Sequence, residues 1–396
     1  MNKKILKQIK TALFFFLVSA LYGWSLRLYR VVDFISIDYK SIVQAHSHVT
    51  FLGWGFLAVI SLIGFVFYPK KLEGNLYLKG LFITMSILLL GMLISFPVQG
   101  YKLFSIVFLS LFLITSYLYL VVILKELKPN TSFSSRFIKT GIYYYFLSSL
   151  AIWAIAIVSI KFGKTTLYYN SIYFYLHFLY NGFFVFTLFG LLIKYIEQKQ
   201  VVIKEKNINS FYLFTNIACI PAYALSLLWS EVPTFVYYIG FIAGLFQLAS
   251  LFYLYKISKP YLKSLVSKQV KFISTVVIIS YFLKVVIQFF SAFPVVIEKA
   301  VQLKSYFIIG YLHLFTLGFM SLFLILLIIL HPKVKLNSVG VNTLILGIFL
   351  SEVFLFIQGG TIAFFQQGIP YFDIILLIVS GFMPVGIAMI FRKFIT

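Results

Sequence analysis

A chain of 396 residues with 62% hydrophobic and 11% charged residues and a mean hydropathy of +1.01 cannot present the polar surface that a water-soluble globule of 45.6 kDa needs. Soluble enzymes are excluded, and the formal charge of +23 is not a nucleic-acid footprint, because the basic residues are confined to short segments between long apolar runs. A single cysteine, Cys219, rules out a disulfide framework, a Cys-x-x-Cys-His heme attachment and a thiolate metal cluster.

Taken in chain order, apolar runs of about the 20 residues that a spanning helix needs predict twelve transmembrane helices. Their approximate spans are 11–30, 42–68, 76–96, 103–124, 139–160, 171–193, 208–229, 234–256, 271–293, 305–330, 339–359 and 370–391. The runs are continuously apolar, whereas barrel strands would alternate. The expected fold class is therefore all-α, a polytopic membrane protein forming one integral membrane domain over 1–396. Its loops are too short for an extramembrane domain. The first run follows Lys3, Lys4, Lys7 and Lys10, and Leu21 to Arg27 offers no small-residue cleavage site, so it reads as an uncleaved helix.

Lys and Arg are retained on the cytoplasmic side of a membrane. With the amino terminus inside, the inner segments hold 24 basic residues and the outer ones 8, and Lys284 inside the ninth span completes the total of 33. This asymmetry predicts a multi-pass protein of the inner (cytoplasmic) membrane with both termini cytoplasmic.

Self-similarity shows up in the rare polar residues. The second span reads Gln44-Ala-His46-Ser-His48-Val-Thr-Phe-Leu-Gly53-Trp54, the sixth Tyr175-Leu-His177-Phe-Leu-Tyr-Asn-Gly182-Phe183, and the tenth Tyr311-Leu-His313-Leu-Phe-Thr-Leu-Gly318-Phe319. Each contains His, four residues, Gly and an aromatic. The histidines are offset by 129 and 136 residues, against 132 for a third of the chain. Three pseudo-repeated four-helix arcs are predicted, approximately 1–130, 131–265 and 266–396. All three spans run from outside to inside, so their histidines lie at one depth, roughly 6 to 12 Å below the outer helix ends. A histidine in hydrocarbon is costly without a partner, and imidazole is a usual axial ligand of heme iron. His46, His48, His177 and His313 are thus the candidate cofactor ligands, as heme iron ligands. On a helix, residues two apart point about 200° apart, so His46 and His48 face opposite flanks.

The stretch His46-Ser-His48-Val-Thr-Phe-Leu-Gly53-Trp54 resembles the His-x-His-x-x-x-Leu-Gly-Trp signature of the heme-copper oxidase superfamily, whose catalytic subunits include those of cytochrome c oxidases and nitric oxide reductases. NnrS-type membrane heme proteins are similar in general plan. The resemblance implies twelve helices in three arcs, with one histidine of the pair on a high-spin heme and the other on a low-spin heme. It covers the whole chain in helix count, and in residues only the three histidine helices. Two features depart from the family. The His-x-His pair lies on the second helix rather than the tenth, and the seventh run, Phe211 to Trp229, has no histidine, so a three-histidine copper centre cannot be assembled.

The resulting expectation is a b-type heme protein with one or two noncovalent hemes and no copper. It would work in electron transfer or in handling a gas such as nitric oxide rather than in dioxygen reduction, with a redox partner or quinone as donor. Economy pairs His48 with His177 and leaves His46 and His313 for a second heme or a vestigial metal position. Two alternatives belong to other classes, a transporter or assembly factor with a histidine-lined cavity and a cofactor-free oxidase relative. His331, before Pro332, reads as an interfacial residue. Lys284 and Glu352 are ionisable residues inside apolar runs, which pair structurally or serve a proton path. Arg27, Arg30 and Lys40 are either propionate partners or boundary anchors. Trp24, Tyr101 and Trp229 read as interfacial belt, and Gln44, Asn181 and Gln358 either set imidazole tautomers or tie helices together.

Overall fold

The computed structural model describes residues 3–32, 37–68, 74–331 and 334–394. Among them there is no β-strand, and the elements are helices joined by short turns. The protein is an all-helical polytopic membrane protein. Among the described residues eleven helices are long and apolar enough to cross a membrane, or twelve if one bent pair is a single span. In chain order they are α1 (Lys3–Leu28), α2 (Tyr39–Phe67), α3 (Leu76–Gln99), α4 (Leu103–Leu127), α5 (Phe133–Phe162) and α6 (Thr166–Gln198). The bent α7 follows (Glu205–Cys219 with the 3-10 segment Pro221–Leu227), then α8 (Thr234–Ser264), α9 (Lys268–Phe290), α10 (Phe307–Ile329), α11 (Ser338–Phe365) and α12 (Phe372–Lys393). Each falls on one of the expected runs.

The chain forms two compact units, residues 1–126 with 324–396, and residues 127–323. In the first, α1 lies along α12, with the Trp24 indole donating to the Leu377 carbonyl at 3.2 Å and Lys10 over the Phe391 ring. Phe16 stacks flat on Trp54 of α2 at 4.5 Å. In the second unit, α5 is stitched to α7 by a ladder at helical spacing. Arg136 donates to Asn209 at 3.0 Å, Thr140 bonds Tyr212 at 2.8 Å, and Tyr144 donates to Asn216 at 2.9 Å. Rungs four residues apart on α5 keep to one face because successive turns stack there. Beyond the expected spans lies a short helix, Pro294–Gln302, started by a proline at its first turn. Its Ile297 packs with Leu225 and Leu228 at the end of α7.

The three histidine helices are the buried ones. Residues 49–64 of α2 and 177–193 of α6 are buried without a break, as are 318–328 of α10. Helices that are hydrophobic all round belong in the interior, and their outer neighbours carry the lipid-facing stripes. On α3 the exposed residues Ile83, Ile87, Leu90 and Ile94 recur every three to four positions.

The repeated glycines serve that burial, because small residues let membrane helices approach closely. A Cβ at Gly53 would lie 2.8 Å from the Phe15 Cβ on α1, one at Gly182 would overlap the Tyr144 Cβ on α5, and one at Gly318 would lie 3.0 Å from the Ser280 hydroxyl on α9. In each case the neighbour belongs to the preceding helix. Gly182→Ala is expected to cost about 1 to 3 kcal/mol through overpacking, lowering the thermal unfolding midpoint in detergent. Gly80→Ala on α3, where nothing lies within 4 Å, is expected to leave that midpoint unchanged.

Candidate functional site

Each histidine helix changes character at its histidine. The α-helical stretch ends at His48, His177 or His313, and a π-helical segment begins on the next residue, over Val49–Phe56, Phe178–Phe184 and Leu314–Ser321. π-Helix is well under 1% of residues in globular proteins, so three segments at one place in a sequence repeat are not coincidental. The i→i+5 spacing of a π-turn is also the spacing of each His from its Gly. Hydroxyls close to each segment take up carbonyl oxygens. Thr50 donates to the His46 carbonyl at 2.7 Å, Thr187 to Phe183 at 2.7 Å, and Ser321 to Thr316, five residues back, at 2.6 Å. Measured along each helix, the four histidines lie six to eleven residues from the amino-terminal end, about 9 to 17 Å.

In the first unit His46 and His48 diverge as their spacing demands. His46 turns to α1, where its Nδ1 lies 2.8 Å from the Ser19 carbonyl and Gly23 leaves room for the ring. Thr50, one turn on, meets the Ser19 hydroxyl, so one residue of α1 clasps two of α2. His48 turns to α3, with Phe96 stacked on it at 4.5 Å. Its Nδ1 lies 2.8 Å from the Gln44 carbonyl, and the Tyr101 hydroxyl lies 2.9 Å from its Nε2. A carbonyl only accepts, so in both neutral rings the proton sits on Nδ1 and Nε2 carries the lone pair. That tautomer is the usual one for an imidazole that ligates through Nε2.

In the second unit His177 is set the opposite way. It is 3% exposed, and its Nε2 donates to the Cys219 carbonyl at 2.8 Å. That carbonyl is released by the break in α7. Pro221 has no N–H to give, the two halves bend by 45°, and the Tyr223 amide that would reach Cys219 in a regular helix bonds Ile220 instead, at 3.1 Å. The Nδ1 of His177 then accepts, with Asn181 Nδ2 and Ser226 Oγ each at 3.3 Å. The Asn181 oxygen in turn takes a hydrogen bond from Lys284 of α9. His313 is half-buried in the same unit, close in sequence to Tyr311, whose hydroxyl donates to Gln288 at 3.4 Å.

The remaining residues singled out by sequence divide cleanly. Arg30 pairs with Asp373 at 3.2 Å and so has an acidic neighbour within the chain. Lys284 donates to Asn181 in the second unit, while Glu352 is buried in α11 of the first, so the two do not pair with each other. His331 meets the Phe65 ring edge-on at 4.5 Å. Gln358 accepts from the Ile369 amide at 2.7 Å and holds a turn, while Gln44 serves His48 through its backbone. Tyr101, read as interfacial belt, touches a candidate ligand. Nothing in the sequence marks it, because α3 and the turn after it come near His48 only in the fold. The triplet Ser-Glu-Val occurs twice, at Ser230-Glu231-Val232 and Ser351-Glu352-Val353, in unlike settings, since Glu231 is exposed beside a turn and Glu352 is buried in α11.

For heme, the tautomer fits at His46 and His48, each with its proton on Nδ1, and at His48 a ligand would have to displace the Tyr101 hydroxyl from Nε2. It does not fit at His177, whose ring nitrogens are both committed. Among the described residues no group of three or more His, Cys, Asp and Glu side chains converges to hold a metal ion. No protein-family model and no curated protein matches the sequence.

Removing the His177 ring would strand the Cys219 carbonyl in an apolar interior, which costs about 1 to 3 kcal/mol. Cys219 is 2% exposed, so its alkylation by a permeant maleimide on heating reports unfolding. His177→Ala is expected to lower the midpoint of that alkylation, and His331→Ala, at the end of α10, to leave it in place.

Proposed function

We propose that this chain is a membrane-embedded b-type heme protein built on the heme-copper oxidase subunit plan, with His48 as its principal axial ligand and His46 as the ligand on the opposite flank of α2. The observation that carries the reading is the fixed tautomer. The Gln44 carbonyl holds the His48 proton on Nδ1, and Nε2 faces the hydroxyl of Tyr101, a residue 47% exposed. The recurrent His-π-Gly element supports the kinship in plan.

Bound at Nε2, heme supplies reversible one-electron chemistry and a position for a gas such as nitric oxide. The chain's own part is to orient the ring, to stack Phe96 against it and to exclude lipid. His177 has both ring nitrogens committed within its own unit and is not part of this site. His313 remains a candidate for a second heme. A quinol or a redox protein would deliver electrons. The 24-to-8 basic asymmetry supports placement in the cytoplasmic membrane with both termini inside. The buried Lys284, Asn181 and His177 favour a second reading, in which the second unit carries protons or a solute across the bilayer.

Purified protein titrated with hemin is expected to develop a Soret band with about one equivalent bound per His48 site. His48→Ala should abolish it, and Tyr101→Phe, which removes only the competing hydroxyl, should keep it. A wild-type protein that stays colourless with excess hemin in lipid would end the heme reading.

A further inference from the structure

Lys284 lies in the apolar body of α9, 2% exposed, and among the described residues no carboxylate is within ion-pair distance of it. Its polar side-chain partner is the Asn181 oxygen. An amide accepts at one end and donates at the other. With Oδ1 turned to Lys284, Nδ2 points to His177 Nδ1 at 3.3 Å, and the imidazole proton is held on Nε2 by the Cys219 carbonyl at 2.8 Å. The orientation of one amide thus records where a charge sits.

We propose that Lys284 and His177 form a buried binding site for at most one proton, in which the Asn181 amide makes a charge on the amine and a charge on the imidazole mutually exclusive. With the ammonium charged, the amide stands as found and His177 is neutral. With the imidazole charged, Nδ1–H needs an acceptor, so the amide turns over. Oδ1 then receives Nδ1–H, and Nδ2 donates to a neutral Lys284 amine with a lone pair to offer. If both were charged, an N–H donor would face an N–H donor between two side chains that are 2% and 3% exposed. Ser226 does not break the tie, because a hydroxyl serves either state.

The titratable neighbours are Cys219 and Tyr223 of α7, Tyr144 of α5, Tyr281 of α9 and Tyr311 of α10. Thiols and phenols are uncharged near neutral pH, so the charge is settled between Lys284 and His177. Because the imidazole also closes the break at Pro221, a charge on it would strengthen the bond to the Cys219 carbonyl and so tie proton position to the bend in α7. The site needs no heme and stands apart from the reading above.

The test is solid-state NMR of the full chain in lipid bilayers, labelled with 15N at histidine and lysine, from about pH 5 to pH 9. In the wild type, the imidazolium signal of His177 and the ammonium signal of Lys284 are expected never to coexist. In Lys284→Met, His177 should shift to the imidazolium signal at the acid end, where the wild type keeps its Nε2–H tautomer. In Asn181→Asp, whose carboxylate accepts from both sides, the two charged signals should appear together. Coexistence of both charged forms in the wild type, which needs no substitution to observe, would overturn the proposal. So would identical His177 signals in the wild type and Lys284→Met at every pH.

Discussion

In hydrocarbon an amide or carbonyl that leaves its helix has no water to turn to, so each irregularity in a spanning segment has to be closed by a neighbouring group. That constraint organises this protein. The π-helical segments of α2, α6 and α10 are accompanied by Thr50, Thr187 and Ser321, whose hydroxyls bond carbonyls four or five residues back. The break in α7 is closed by His177, which takes the Cys219 carbonyl. Asn181 and Lys284 follow from that choice, because an imidazole that donates through Nε2 needs a donor at Nδ1, and an amide that supplies it has an oxygen to spare.

The twelve spans were legible because length and hydropathy decide them, and no tertiary contact is needed to recognise about 20 apolar residues. The three histidine elements were legible because polar residues are rare in such runs. What each histidine does was not. His48 and His177 share the His-x-x-x-x-Gly spacing and protonate opposite nitrogens, since the tautomer depends on which carbonyl comes near, and one of those carbonyls is on another helix. The π-segments leave no mark in composition. The bend in α7 did leave one, Pro221 in the middle of an apolar run, which breaks a helix by geometry and by its missing donor. Pro294 likewise marks the start of the short helix that the loop after α9 contains.

The glycines show how one sequence signal serves packing before chemistry. A small residue five positions after each histidine is compatible with a flat cofactor or with a neighbouring helix. Here the space over each is taken by Phe15, Tyr144 or Ser280 of the preceding helix. Close approach explains the conserved spacing within the chain without any cofactor, because a π-turn places those two residues one hydrogen bond apart. The ligand reading therefore rests on the proton positions of the imidazoles and not on the repeat.

Those proton positions differ between the two units. A histidine whose Nδ1–H is given to a backbone carbonyl carries its lone pair on Nε2, and both His46 and His48 are arranged so. A histidine whose Nε2–H is given away keeps Nδ1, and the partner that occupies it here is an amide leading to a buried lysine. Replacing Phe96 or Tyr101 changes what surrounds the first kind of ring without altering its tautomer. Replacing Pro221 removes the reason for the second kind, since a regular α7 would reclaim the Cys219 carbonyl and leave His177 to find its proton acceptor elsewhere. The tautomers at His48 and at His177 accordingly have independent causes, one a carbonyl of its own helix and the other a carbonyl freed by a break in α7.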